Sequence, residues 1–333
     1  SIGGNLFMKI VISDYEDTLN RNLDYEINLI KAAFPICDVV IHVFKDNNSL
    51  IKEVKDADGL ITAFLKVDEQ IFKNCPKLKC ISINATGYDN INIEDAKKYN
   101  VTICAIKEYC TIEVAEFTMT LILSLAKKIK YHQHFIEDEK RWQYSLVESV
   151  YKLAGKTLAI YGLGRIGQSV AARAKAFDIN VVAVDPYIPT EIAYNLNIPL
   201  VNDDYVFKNA HIISNHMNVS TSNIAYFDYR YFNSLQKRPI FINVGRGACV
   251  VEDALVKALD NDRISSAGLD VLIDENPDIN NNPLFNRNNV IITPHAAFYS
   301  TQSSLLLQEI SCNNLIEFFN NNLDKINYVV NKN

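Results

Sequence analysis

Short apolar segments alternate with helix-like stretches along most of the chain, and this alternation constrains the fold more than any other feature. Five such segments lie in the first third of the sequence, at residues 9–13, 39–44, 59–62, 78–83 and 101–104. The residues between them are spaced as in amphipathic helices. Strands that alternate with helices favour βαβ units and a parallel sheet. The sequence therefore predicts an α/β domain that begins near Met8.

A second series of apolar segments follows a long, strongly apolar helical stretch at residues 111–130. It contains six segments, at residues 157–161, 181–184, 211–214, 239–243, 266–270 and 290–293. Six strands with intervening helices match the complete sheet of a dinucleotide-binding domain. One last amphipathic helix is predicted near residues 301–320, followed by an Asn- and Lys-rich tail.

The composition limits the classes of partner. The 333 residues include 33 Lys and Arg against 39 Asp and Glu, a net charge of −6, so neither nucleic acid nor a membrane surface is expected as a main partner. No apolar run approaches the roughly 18 residues of a membrane span, and we expect no secretory signal and a cytoplasmic location. Residues 1–7, with Gly3-Gly4 ahead of Met8, resemble an expression scar.

Neither disulfides nor a metal site are expected. The seven cysteines are scattered and never spaced as Cys-x-x-Cys, so buried thiols are predicted. His132 and His134 have no third ligand nearby at a useful spacing. We predict that these two histidines lie at a solvated helix end.

A glycine-rich turn follows the first strand of the second series. Gly162, Gly164 and Gly167 lie directly after that strand and open an alanine-rich helix. The first glycine permits a tight turn, the second lets a pyrophosphate approach the backbone, and the third lets helix pack on strand. The start of the helix, at Arg165 and Ile166, offers N–H groups and a partial positive charge to the phosphates.

An aspartate at the end of the next strand supports this interpretation. Asp185 lies 18 residues after Gly167 (185 − 167), where a carboxylate can accept both hydroxyl groups of an adenosine ribose. A carboxylate at this place repels a 2′-phosphate. The sequence therefore predicts NAD rather than NADP as the cofactor. The alternative is an aspartate that caps a turn before Pro186.

Three further segments, at residues 241–248, 267–277 and 291–297, belong together. With the glycine turn they resemble, in order, the signatures of the D-2-hydroxyacid dehydrogenases, a family that includes D-lactate, glycerate and phosphoglycerate dehydrogenases. The similarity extends from about Met8 almost to the end of the chain. It implies an NAD-dependent enzyme that interconverts a small 2-oxo acid and a D-2-hydroxy acid.

The resemblance implies three catalytic residues, and each suits its role chemically. Arg246 follows a strand, and its planar guanidinium can hold the carboxylate and carbonyl oxygens of a 2-oxo acid. His295 matches the family's general acid and base, which exchanges a proton with the carbonyl oxygen. Glu275 matches the glutamate that orients this histidine, although the neighbouring Asp274 leaves the register open.

The resemblance also implies contacts with cofactor and substrate. Cofactor contacts are expected from Met217, Asn223, Val244, Gly245 and Asp270, the last of which matches the residue that contacts the nicotinamide carboxamide. Backbone N–H groups at Thr86 and Gly87 would receive the substrate carboxylate. A plain strand-to-helix turn is an equally good interpretation of that loop.

Some positions depart from the family pattern or suggest a rival function. Lys107 replaces a usual proline, Asn92 a usual aspartate, and Met217-Asn218 breaks the common His-x-Pro pattern, which puts substrate preference in doubt. Residues 109–116 and Tyr187 also resemble the C-terminal binding proteins, which are NADH-sensing transcriptional corepressors on the same scaffold. The alternative function is therefore a binding module rather than an enzyme.

The resemblance and the two series of strands predict two doubly wound parallel-sheet α/β domains. A Rossmann-type NAD-binding domain, residues 107–299, is inserted into a flavodoxin-like substrate domain, residues 8–106 plus 300–333. The apolar helix near Thr111 and the arm that follows it, including Trp142, are predicted to form a two-fold homodimer interface. The alternative is a helix that is buried within one monomer.

Overall fold

A computed structural model describes residues 7–331 of the chain. Its contacts divide into two compact units, one formed by residues up to Tyr109 together with those from Ser300 onward, the other by Cys110–Tyr299. Apart from Phe7, the predicted expression scar lies outside the described residues. The predicted fold class is confirmed, because each unit is built on a largely parallel sheet flanked by helices.

The first unit contains a six-stranded sheet with strand order β12-β5-β4-β3-β1-β2. Its strands are β1 (Lys9–Asp14), β2 (Asp38–Val43), β3 (Gly59–Thr62), β4 (Cys80–Ile83), β5 (Thr102–Ala105) and β12 (Tyr328–Val329). Its helices are α1 (Glu16–Leu19), α2 (Asp24–Ala33), α3 (Asn47–Val54), α4 (Glu69–Asn74), α5 (Ile93–Lys98) and α13 (Thr301–Phe319). The central strands β3 and β4 are buried throughout, which explains their continuous apolar sequences.

The Asn- and Lys-rich C-terminal tail contains a strand that the sequence analysis did not predict. It forms β12, which pairs antiparallel with β5. The side chain of Asn331 continues the pairing, since its Oδ1 accepts from the Ile103 N–H at 2.8 Å and its Nδ2 donates to the Val101 carbonyl at 2.8 Å. An edge strand exposes unpaired backbone groups. The polar tail therefore satisfies the outer edge of β5.

The second unit contains a parallel sheet with strand order β11-β10-β9-β8-β6-β7. Its strands are β6 (Thr157–Tyr161), β7 (Asn180–Val184), β8 (Ile212–Asn215), β9 (Ile240–Asn243), β10 (Ser266–Leu269) and β11 (Val290–Ile292). Its helices are α6 (Thr111–Ala126), α7 (Ile129–Gln133), α8 (Arg165–Ala176), α9 (Thr190–Asn195), α10 (Asp203–Asn209), α11 (Tyr229–Ser234) and α12 (Glu252–Asp260). All six strands coincide with predicted segments.

The apolar helix α6 packs closely on this sheet. A Cβ atom at Gly268 in β10 would lie 3.2 Å from Leu121 and 3.2 Å from Leu125, so the absence of a side chain at Gly268 admits the helix. Eight of the 16 residues of α6 are buried. The large exposed apolar side chains of this region lie mainly in the arm after α6, where Trp142 is 90% and Tyr144 87% exposed.

The structure also bears on the expectations for cysteines, metal ligands and membrane spans. All seven cysteines are buried thiols, as predicted. Within residues 7–331, no group of three or more His, Cys, Asp and Glu side chains is placed to hold a metal ion. No helix in the same range is long and apolar enough to cross a bilayer. His134 contacts Asp138 through Nδ1 at 2.8 Å and Glu139 through Nε2 at 3.3 Å.

Candidate functional site

Most predicted site residues follow the carboxyl ends of the strands in the second unit. The strands are parallel, so these ends meet at one edge of the sheet, where doubly wound folds bind ligands. Across that edge the structure brings together, in spatial order, His295 after β11, Asp270 after β10, Arg246 after β9, Met217 after β8, the glycine turn after β6 and Asp185 after β7. One continuous edge therefore carries both the predicted catalytic and the predicted cofactor residues.

The glycine turn has the geometry that each glycine position demands. Gly162 has φ +86°, a left-handed conformation that strains any residue with a side chain. A Cβ atom on Gly167 would collide with the carbonyl oxygen of Gly162. A Cβ atom on Gly164 would meet no atom of the described residues within 4 Å. The surface at Gly164 is therefore open, as the approach of a pyrophosphate requires.

The N-terminus of α8 and Asp185 lie beside this turn. Helix α8 begins at Arg165, directly after Gly164, so the N–H groups of its first turn, including that of Ile166, lie next to the open surface. Asp185 fixes the neighbouring loops, because Oδ2 accepts from the Leu163 N–H at 2.8 Å and Oδ1 from the Tyr187 N–H at 2.9 Å. These residues fit a dinucleotide whose phosphates lie at the helix start.

His295 and Glu275 form a direct pair at the other end of the edge. Nδ1 of His295 lies 3.2 Å from Oε2 of Glu275, and the two side chains are 30% and 54% exposed. Asp274 turns to its own loop instead, where Oδ1 accepts from the Asn276 N–H at 2.9 Å. Of the two acids that the sequence left in competition, it is Glu275 that contacts the histidine.

The backbone of His295 is held in an uncommon conformation. Its φ of +50° lies in the left-handed region, which costs an L-residue about 1–2 kcal/mol. Asp270, only 2% exposed, holds this segment. Oδ1 accepts from Thr293 Oγ1 at 2.6 Å and from the Ala296 N–H at 2.8 Å, and Oδ2 accepts from the Ala297 N–H at 3.0 Å. In the structure, the carboxylate of Asp270 thus fixes the turn that carries His295, while its contact with cofactor stays a prediction.

Arg246 lies between two tightly packed glycines. It is half-buried, and its Nη1 donates to the Gly245 carbonyl at 3.0 Å. A side chain at Gly247 would collide with the backbone of Leu272, and Val244 is buried. The close packing of Gly245 and Gly247 therefore constrains the backbone of Arg246 on both sides.

The loop after β8 is also fixed internally. The Met217 N–H donates to Asn215 Oδ1 at 3.1 Å. Asn223 Oδ1 accepts from the Ser220 N–H at 2.8 Å, and Asn223 Nδ2 donates to the Asn218 carbonyl. The side chain of Asn223 thus closes the loop at residues 218–223.

His216 is a histidine near the same edge that does not suit proton transfer. Its Nε2 lies 2.8 Å from Ser214 Oγ, and its Nδ1 is buried. Burial lowers the pKa of His216 to about 3, so the ring stays neutral near pH 7. A histidine that exchanges protons at neutral pH needs a pKa closer to that value. His216 is therefore excluded from this role, and the pair with Glu275 favours His295 as the candidate on this edge.

Sequence reasoning missed three residues that organise the site. Asn215 and Asn243 are buried amides at the ends of β8 and β9, and Glu252, the first residue of α12, accepts from the Ile273 N–H at 2.7 Å through Oε1. For the two asparagines, the available signal was a polar residue at the end of an otherwise largely apolar strand. That signal does not reveal which backbone groups the side chain will reach.

The predicted carboxylate loop belongs to the first unit. Thr86 is exposed and Gly87 half-buried in the loop after β4. The loop is anchored by Asn90, whose Nδ2 donates to the Leu65 carbonyl at 2.7 Å, and by the Ile106 N–H, which donates to the Ala85 carbonyl at 3.0 Å. Both anchors leave Thr86 at the surface of the loop.

Comparison with known proteins gives a consistent result. Residues 119–297 match the family model described as the NAD binding domain of D-isomer specific 2-hydroxyacid dehydrogenase. D-3-phosphoglycerate dehydrogenase of Methanocaldococcus jannaschii is 34% identical over 268 residues, which are 80% of this chain and 50% of that protein. The chain thus spans about half the length of that relative.

Two further similarities cover most of both partners. Glyoxylate reductase of Thermococcus litoralis is 33% identical over 276 residues, covering 81% of this chain and 82% of that protein. The crystal structure of D-lactate dehydrogenase from Aquifex aeolicus with NAD and lactic acid has a TM-score of 0.85 and 24% identity, and covers 97% of this chain and 99% of that one. At that identity the likeness concerns the fold.

Proposed function

The chain belongs to the D-isomer specific 2-hydroxyacid dehydrogenase family, and on this premise we propose that it reduces a small 2-oxo acid to the D-2-hydroxy acid, or oxidises the latter, with NAD as cofactor. The observation that carries the proposal is the contact between His295 Nδ1 and Glu275 Oε2 at 3.2 Å, on the sheet edge that also carries Arg246. This edge unites an acid–base group, a fixed cation and a phosphate-binding turn.

Each residue has a defined task in this reaction. When bound, the nicotinamide supplies the hydride that adds to the carbonyl carbon, or accepts it in the reverse direction. Arg246 binds the carboxylate and carbonyl oxygens and stabilises the negative charge that develops on the latter. Glu275 accepts the Nδ1–H of His295, so Nε2 is the nitrogen that gives a proton to the carbonyl oxygen or takes it from the hydroxyl.

A turnover assay tests the proposal directly. Purified protein would be mixed with NADH and, in turn, glyoxylate, hydroxypyruvate, pyruvate and a branched 2-oxo acid, and NADH oxidation followed by absorbance. We expect turnover with at least one of them. Tight NADH binding without any turnover would contradict the proposed enzymatic activity and favour the NADH-sensing binding module.

Cofactor preference depends on the charge of Asp185. The carboxylate accepts a hydrogen bond from Leu163 in the phosphate-binding turn. A 2′-phosphate of NADPH would meet this negative charge, and like charges in contact cost several kcal/mol. We therefore predict that kcat/KM with NADH exceeds that with NADPH, and that Asp185→Asn lowers this ratio about 10- to 100-fold. Asp204→Asn, an exposed acid of the same unit, is the matched control. A wild-type preference for NADPH would contradict the assignment.

We also propose a homodimer formed through α6 and the arm that follows it. The arm exposes Trp142, Tyr144 and Ile136, and several large exposed apolar side chains in one short segment are typical of an interface. Light scattering at micromolar concentration should give a mass near twice 37.7 kDa. Trp142→Asp should shift the mass toward that of one chain, whereas Phe177→Asp, another exposed aromatic, should not. A single-chain mass for the wild type would exclude the dimer.

A further inference from the structure

Two buried asparagines close neighbouring strands in the middle of the site edge. Asn215 is the last residue of β8 and Asn243 the last of β9, and they are paired in register. Their exposures are 0% and 1%. Burying an amide costs free energy unless its polar atoms form hydrogen bonds. The hydrogen-bond partners of these two side chains therefore indicate which backbone groups they hold in place.

The polar atoms of this asparagine pair bind one another and the backbone of the site loops. Asn215 Nδ2 donates to Asn243 Oδ1 at 3.0 Å. Asn243 Oδ1 also accepts from the Gly245 N–H at 3.1 Å, and Asn243 Nδ2 donates to the Arg246 carbonyl at 3.0 Å. Asn215 Oδ1 accepts from the Met217 N–H at 3.1 Å. Three candidate site residues on two loops are thus held by one pair of side chains.

The loop at Gly245 also packs directly on the pair. A Cβ atom at Gly245 would lie 3.0 Å from Asn215 Nδ2 and 3.1 Å from the Met217 carbonyl oxygen. A shift of either amide would therefore move the backbone on both sides of Arg246.

We propose that Asn215 and Asn243 are positioning residues: together they hold the Arg246 guanidinium in register with the substrate and the Met217 loop in register with the cofactor. The inference rests on the proposed function, in which Arg246 binds the 2-oxo acid. Apolar side chains would fill the same volume without the cost of burying amides. The pair is therefore explained by the backbone groups it orients, which apolar residues could not hold.

Leucine substitutions separate positioning from stability. Asn243→Leu leaves Asn215 Nδ2 buried without its partner, so it should lower both Tm and kcat/KM, the latter about 10- to 100-fold, mainly through the KM of the 2-oxo acid. Asn215→Leu should chiefly raise the Kd of NADH, because it releases Met217. In the double variant both amides are replaced, so Tm should recover above that of Asn243→Leu while kcat/KM stays at least as low.

Recovery of Tm in the double variant without recovery of kcat/KM is the result that a merely structural role would not produce. If the double variant regains kcat/KM together with Tm, or if both single variants keep kcat/KM and the Kd of NADH within about twofold of wild type, the proposal is wrong. Asn289→Leu is the matched control, because Asn289 Nδ2 donates to the Ser265 carbonyl at 3.2 Å at the opposite edge of the sheet. It should lower Tm alone.

Two further measurements cover a variant that does not fold and a wild type that shows no turnover. If Asn243→Leu does not fold, Asn243→Ser, which is small and leaves room for water, replaces it with the same expected loss of kcat/KM. If the wild type turns over no 2-oxo acid, the proposed function fails, and calorimetric NADH binding then tests the pair alone. In that case weaker binding by Asn215→Leu, with binding by Asn289→Leu unchanged, would still support the positioning role, and unchanged binding by both would overturn it.

Discussion

Replacing His295 with asparagine is expected to lower kcat about 100- to 10,000-fold, the usual contribution of a positioned acid–base group. Asparagine is the informative substitution because it tolerates the left-handed backbone that His295 adopts at φ +50°. The turn held by Asp270 should therefore survive. The loss then reports the missing proton transfer rather than a rearranged loop.

Steady-state kinetics together with calorimetric NADH binding would check this prediction. NADH affinity should stay close to that of the wild type, since the substitution leaves the glycine turn and Asp185 intact. The control is His132→Asn, which changes a histidine of helix α7 that is distant from His295 in the sequence. This variant should keep wild-type kcat. A His295→Asn variant that retains more than about a tenth of the wild-type kcat would remove His295 from proton transfer.

Replacing Arg246 with lysine is expected to lower kcat/KM about 100- to 1,000-fold, comparable to the loss of one fixed donor at a developing oxyanion. Lysine keeps the charge but loses the planar pair of donors that can bind two oxygens at once. The loss should appear in the KM of the 2-oxo acid and in kcat together. This pattern distinguishes a residue that acts in both the ground state and the transition state.

The control for this substitution is Arg238→Lys. Arg238 forms an exposed ion pair with Asp262 at 2.6 Å, and such pairs contribute little, so its exchange should leave kcat/KM unchanged. If Arg246→Lys has kinetics as mild as those of Arg238→Lys, charge alone would suffice at position 246, and the proposed two-oxygen contact would be wrong.

Much of the fold could be predicted because buried parallel strands have continuous apolar sequences. Both series of strands were identifiable from this pattern, and so was α13. Strand β12 was not, because it has only two residues, Tyr328 and Val329, within an Asn- and Lys-rich tail, and its pairing is dictated by the edge of β5. The apolar surface of α6 was apparent, but its close packing on Gly268 depends on a residue more than 140 positions away.

The candidate site was partly predictable for a related reason. Glycine turns and charged residues just after strands are local signals, so Gly162, Asp185, Arg246 and His295 could be singled out. The conformation of His295 and its support by Asp270 could not, since they depend on hydrogen bonds between segments 23 to 27 residues apart. The roles of Asn215 and Asn243 depend in the same way on strand register, which the sequence does not encode locally.

The order of strands along the site edge has a consequence for how the protein can change. With neighbouring strands about 4.8 Å apart, Asp185 after β7 and Arg246 after β9 belong to strands about 14 Å apart. Substitutions at that separation usually have additive effects. The proposed cofactor choice through Asp185 and the proposed contact of Arg246 with the 2-oxo acid should therefore respond independently to substitution. The exception is the middle of the edge, where β8 and β9 end in a shared pair of amides, so substitutions of Asn215 and Asn243 should not have additive effects.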